Sequence, residues 1–227
     1  MQYPSISQPI VLGLEQNKVL RNTYMMLALT MIPTIIGAFV GLSTNFSFMA
    51  QFPIMAPLLM FAVMMGMLFA VSALRNSVWG IAMLLGFTFV AGVFLGPILQ
   101  TALQLSNGAQ LVGMAAGGTG LIFFSLATLA TVTKKDFSFM GKFLFIGLIL
   151  LVVASLANIF LQIPAMSLTI SAIAVLIFSA YILFDISRII HGGETNYVMA
   201  TMSLYLSIYN IFVNLLSLLM AFSGERD

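Results

Sequence analysis

Seven long apolar stretches, at roughly 24–43, 54–74, 78–98, 111–132, 143–162, 165–189 and 197–222, alternate along this chain with short polar connectors. Crossing a hydrocarbon core of about 30 Å takes about 20 residues of helix, and each stretch meets that requirement. No alternation of period two runs through them, so barrel strands are excluded and the pattern predicts an all-α membrane protein, a bundle of seven transmembrane helices. The connectors, among them Ser43-Thr44-Asn45 through Pro53, Arg75-Asn76-Ser77 and His191-Gly192-Gly193-Glu194, have turn chemistry and are too short to hold a soluble domain. Small residues recur at helix-packing spacing: Gly37 with Gly41, Gly92 with Gly96, and Gly113 with Gly117 and Gly120. Such spacing serves close backbone approach, either inside the bundle or between copies. Pro33 and the Gly96-Pro97 pair are expected to kink or end their helices.

Charge then orients the bundle. Lys18 and Arg21, Arg75, the group Lys134, Lys135 and Lys142, and Arg188 fall in alternate connectors, and the connectors between them carry no charge. Short cytoplasmic loops retain Lys and Arg, so the N-terminus is expected inside. The chain divides into a flexible cytosolic tail at 1–23, a seven-helix domain at 24–222 and a short polar tail at 223–227. The first of these lacks the basic start and short apolar core of a cleaved signal peptide. Composition agrees, with 6% charged residues, 61% hydrophobic residues and a mean hydropathy of +1.13, against roughly a quarter charged in a water-soluble domain. The scattered basic residues form no patch that would hold nucleic acid; the partner they imply is the lipid bilayer.

Polar positions inside the spans are where function is sought, because hydrocarbon makes them costly. In the last segment Ser203, Ser207, Asn210, Asn214 and Ser217 follow one another at intervals of four, three, four and three, which places them on one helix stripe. That stripe serves either as an interhelical hydrogen-bond seam or as the wall of a water-filled path. Ser155, Asn158 and Gln162 form a shorter stripe in the fifth segment that can meet it. Asp185 is the one carboxylate within an apolar run, with Arg188 one turn away and Arg75 ending the second span on the same side. It forms either a structural ion pair or a latch that opens when the acid is protonated or binds a cation.

His191, with Gly192, Gly193 and Glu194, reads as a flexible inside loop. A closed zinc site cannot be built from one His and no Cys. Intramembrane proteases need a buried base or two membrane carboxylates, retinal needs a Lys within a span, and nucleotides need a phosphate cradle. None of these is present, so no enzyme activity and no cofactor is expected, with calcium the only metal in view.

Three runs carry a family resemblance: Lys18-Val19-Leu20-Arg21-Asn22-Thr23-Tyr24, then Lys135-Asp136-Phe137-Ser138-Phe139-Met140-Gly141, and above all Phe184-Asp185-Ile186-Ser187-Arg188 through His191-Gly192-Gly193-Glu194-Thr195-Asn196-Tyr197, followed by Ser203-Leu204-Tyr205-Leu206. They resemble the Bax inhibitor-1 family, and His191 to Tyr197 looks most like its bacterial YccA-like branch. The resemblance implies a seven-helix fold around a central polar last helix and a place in the bacterial inner membrane. It also implies two functions of different class. One is a pH-gated calcium or cation leak in which two aspartates share a proton; Asp185 matches the first, but Ser207 stands at the position of the second. A hydroxyl there removes the like-charge coupling and one calcium ligand. The YccA-like branch implies instead a non-enzymatic partner that restrains the membrane protease FtsH, with segment 1–23 as a cytosolic handle. The second function is the preferred reading.

Overall fold

The computed structural model describes residues 8–224. Within them the chain forms nine α-helices: α1 (Gln8–Ser43), α2 (Ser47–Gln51), α3 (Met55–Leu74), α4 (Val78–Phe94), α5 (Gly96–Leu103), α6 (Gly108–Thr133), α7 (Gly141–Leu161), α8 (Pro164–Ile190) and α9 (Tyr197–Gly224). A 3-10 turn at Ser138–Met140 leads into α7. Seven helical stretches are long and apolar enough to span a membrane, with α4 and α5 together making the third. All seven expected segments are therefore present, and among the described residues there is no strand.

Three boundaries differ from the hydropathy reading. The segment expected as a flexible tail is helical from Gln8 onward, while residues 1–7 lie outside the described residues. Pro9 sits in the first turn, where a missing N–H costs nothing, and Leu20 and Tyr24 pack on the core, so α1 gains from continuing past the apolar stretch. Pro33 does not break α1. Gly96-Pro97 does interrupt the third span at Leu95, yet Pro97 sits in the first turn of α5, which carries the span on to Leu103. At the other end, Ser223 and Gly224 belong to α9, while 225–227 lie outside the described residues.

The last helix occupies the middle. α9 packs against α1, α4, α5, α6 and α8, whereas α3 rests mainly on α4, and α7 on α8. Leu204, Tyr205, Ile211 and Leu216 of α9 are fully enclosed. With lipid on every side, apolar burial gives little preference for protein over solvent, and cohesion depends on close packing and polar clamps. The closest approach is between α1 and α4. A Cβ at Gly37 would overlap the Phe89 carbonyl, one at Gly92 the Thr34 carbonyl, and Gly41 and Gly96 face each other's backbone in the same way. Polar groups lock this seam to α9. The hydroxyls of Thr34 and Tyr205 lie 2.9 Å apart, Tyr205 OH donates to Thr88 O at 3.3 Å, and Tyr209 OH donates to Ala91 O at 3.1 Å. By contrast, Cβ atoms at Gly113, Gly117 and Gly120 of α6 would meet nothing. The first two glycine pairs thus serve packing within the bundle, and the third group faces outward.

Because the obstacle at Gly92 is a backbone carbonyl, Gly92→Ala is expected to destabilise the protein by about 1–3 kcal/mol. Gly117→Ala should be neutral or stabilising by up to about 1 kcal/mol, since Ala is the better helix former. Thermal unfolding in detergent, followed by circular dichroism, checks the ranking; the reverse order contradicts the seam.

Candidate functional site

Asp185 lies in the penultimate turn of α8, where the helix faces α9, and it is only 6% exposed. Ser203 Oγ donates to its Oδ2 at 2.5 Å. One turn further along α9 stands Ser207, 3% exposed. The expected pairing of Asp185 with Arg188 or Arg75 is not formed. Arg188 turns away from the bundle: Nη2 donates to Gly193 O at 3.1 Å, lies 3.7 Å from Glu194 Oε2, and the guanidinium sits 5.5 Å from the Phe184 ring centroid. The physical reason is depth. Arg188 stands one turn nearer the helix end, within reach of the loop, whereas Asp185 is enclosed where, among the described residues, the Ser203 hydroxyl of α9 is what bonds it. The Arg75 side chain is exposed, and it is its backbone carbonyl that is used.

A latch between the second-to-third-span loop and the α8–α9 loop does exist, but Asn196 makes it. Its Nδ2 donates to Arg75 O at 3.1 Å and to Asn76 Oδ1 at 2.9 Å, while its Oδ1 caps α9 by accepting from Val198 N at 3.0 Å and Met199 N at 3.1 Å. Glu194 Oε1 accepts from Asn196 N at 2.9 Å. The residues expected as a loose loop are therefore held in place. Gly192 takes a φ of +77°, suited to glycine, and packs toward the Gln16 side chain of α1. The His191 ring bridges two carbonyls, Nδ1 at 2.8 Å from Ser187 O and Nε2 at 3.1 Å from Lys134 O. Ser187 Oγ accepts from Phe137 N at 2.8 Å. The basic loops are thus gathered on one face of the bundle and tied to one another. Asn196 was legible as an N-cap directly before an apolar run; Ser187 has no comparable signal in the sequence.

Outside the spans, Asp136 Oδ1 accepts from Ser138 N at 2.8 Å. Hydrogen bonding by the Ser138 side chain, and then by its backbone, holds the Asp136 carboxyl below the usual carboxylate range.

The α9 stripe splits by depth. Ser203 serves Asp185, while Asn210, Asn214 and Ser217 bond to their own helix, at Leu206 O (2.9 Å), Asn210 O (2.8 Å) and Val213 O (3.0 Å). They form no interhelical seam. Asn210 and Asn214 instead line a cavity of about 330 Å³ between α3, α7, α8 and α9. An adjoining cavity of about 280 Å³ brings Ser155 and Asn158 of α7 to Ser167 and Ser171 of α8 and Asn214 of α9. The two polar stripes do meet here, without Gln162, which ends α7 in the left-handed conformation at φ 52°. Asp185 lines neither cavity. Among the described residues no three His, Asp or Glu side chains converge.

A seven-span helical bundle with its last helix in the middle, one enclosed acid on a hydroxyl and basic loops knitted on one face defines a multi-pass membrane protein. Residues 16–224 match the family model described as "Inhibitor of apoptosis-promoting Bax1", and the chain belongs to that Bax inhibitor-1 family. Over 206 residues it is 45% identical to the Escherichia coli K12 protein called "Modulator of FtsH protease YccA", covering 91% of each chain. The same identity and coverage hold for an E. coli O6:H1 protein called "Inner membrane protein YccA". A Vibrio cholerae protein described as a membrane protein is 42% identical over 206 residues, covering 91% of this chain and 90% of its own.

Two outcomes follow. Ser203→Ala strands the Asp185 carboxylate and is expected to cost about 1–3 kcal/mol; adding Asp185→Leu, which removes the stranded group, should recover part of that loss in thermal melts. For Asp136, an acid held low in the fold contributes stability above its unfolded value, about 4, and loses it as pH falls through the lower folded value. In an NMR titration Ser138→Ala should raise the pH at which Asp136 protonates; an unchanged titration contradicts the assignment.

Proposed function

We propose that this protein is a non-catalytic inner-membrane partner of FtsH that restrains its proteolysis, with the N-terminus in the cytoplasm. The observation that carries this reading is the 45% identity, across 91% of both chains, to a protein called a modulator of that protease. The basic loops support the orientation, since Lys and Arg in short connectors stay on the cytoplasmic side. The 36-residue α1 supports it further: at 1.5 Å per residue it is about 54 Å long, so it runs beyond a hydrocarbon core of about 30 Å on the basic face. Its first turns stand where a cytosolic protease domain can reach them.

The leak reading finds less support. Asp185 faces one hydroxyl where a shared-proton pair would need a second acid, and the cavities stop short of it.

Tagged full chain purified from inner membranes in mild detergent is expected to carry FtsH with it, and adding the purified chain should slow FtsH turnover of a membrane substrate. Removal of residues 1–15 should weaken the capture. Absence of FtsH from the full-chain eluate, under conditions that keep FtsH with its other partners, overturns the reading.

A further inference from the structure

The paired cavities have a polarity gradient that runs with depth. The polar one lies near the uncharged end of the bundle: Asn158 is three residues from the end of α7 and Ser167 three residues from the start of α8, about 5 Å along each axis. The apolar one continues inward past Val152 and Ala174 to Leu148 and Phe178, which stand 13 and 14 residues from those same helix ends, about 20 Å deep. The two share Ser155, Ile159, Ile170 and Asn214, so they form one continuous slot.

The slot is open to the bilayer. Pro57 and Phe61 of α3 form one lip and α7 the other, and these two helices do not pack extensively on each other. Its volume is in the range of small-molecule sites. At the polar end several groups are left without a protein partner. Asn158 Oδ1 accepts from Ile163 N at 3.1 Å, while its Nδ2 and the hydroxyls of Ser155, Ser167 and Ser171 make no hydrogen bond among the described residues. The lining carries no charge.

We propose that this slot binds one glycerolipid of the leaflet opposite the basic loops. One acyl chain descends between α3 and α7, and its ester carbonyl accepts from the Asn158 amide and the serine hydroxyls. The match is in register as well as chemistry. In a bilayer the ester region sits at the boundary with the headgroups and the chain points to the midplane, as the polar and apolar parts of the slot do. With no charge in the lining, selection acts on the ester and chain, not on the headgroup. This inference does not depend on the FtsH reading.

Native mass spectrometry of the full chain, titrated with dioleoyl phosphatidylethanolamine in mild detergent, tests it. One lipid should persist at energies that strip all others. The Ala174→Phe variant, whose ring fills the slot, should retain that lipid at least about tenfold less, while Ile173→Phe, on the lipid-facing side and 45% exposed, should match the parent. The diether analogue, lacking the carbonyl, should bind the parent about tenfold more weakly, about the worth of one hydrogen bond, and Asn158→Leu should erase that difference. Equal retention by the parent and Ala174→Phe overturns the proposal, as does equal retention of ester and ether lipids by the parent. Should Ala174→Phe fail to fold, the ester–ether comparison on the parent chain decides.

Discussion

The crossing of α1 and α4 is the constraint on which the rest of the bundle depends. In lipid an apolar side chain gains little by turning from solvent to protein, so cohesion comes from backbones that approach closely and from polar groups that pair. Gly37 and Gly41 of α1 with Gly92 of α4 supply the first, letting each helix meet the other's carbonyls, and Gly96 at the start of α5 extends the contact to Gly41. Thr34 and Thr88 sit on that crossing and present the oxygens that hold Tyr205. Once Tyr205 and Tyr209 are fixed, the rotation of α9 about its axis is fixed, which delivers Ser203 to Asp185 and turns Asn210 and Asn214 toward α7 and α8. The placing of the acid's partner and of the cavity-lining amides thus follows from that seam.

The two ends of the bundle are built differently. On the basic face, backbone carbonyls at the ends of α3, α6 and α8 are taken up by Asn196 and His191, so loops from three places in the chain form one layer. On the opposite face α3 and α7 stand apart and polar groups are left open. One end of the bundle is thus tied together by side chains, and the other is parted between α3 and α7.

Much of this was legible in one dimension. The seven spans were, because hydropathy over 20 residues outweighs every local preference, whereas glycine spacing alone left packing inside the bundle and contact between copies both open. The start of α1 was not, since Gln8 to Thr23 is polar and mixed, and it is tertiary contact, Leu20 on the core and Gln16 against Gly192, that favours its continuation. Asp185 stood out, yet its partner did not: Arg188 is nearer in sequence, whereas Ser203 is brought in by the turn at Gly192 and the cap at Asn196. The meeting of Ser155 and Asn158 with Asn214 could be conjectured from polarity, but the slot they open into depends on α3 and α7 not closing, which no residue spacing records.

The central position of α9 has a consequence for biosynthesis. Ribosomes release the chain from its amino end, so the six earlier spans enter the bilayer before the helix that fills their middle exists. Through that interval Asp185 lacks Ser203, and Thr34 lacks Tyr205. α9 is therefore the keystone, and the bundle cannot lock until that helix has been made.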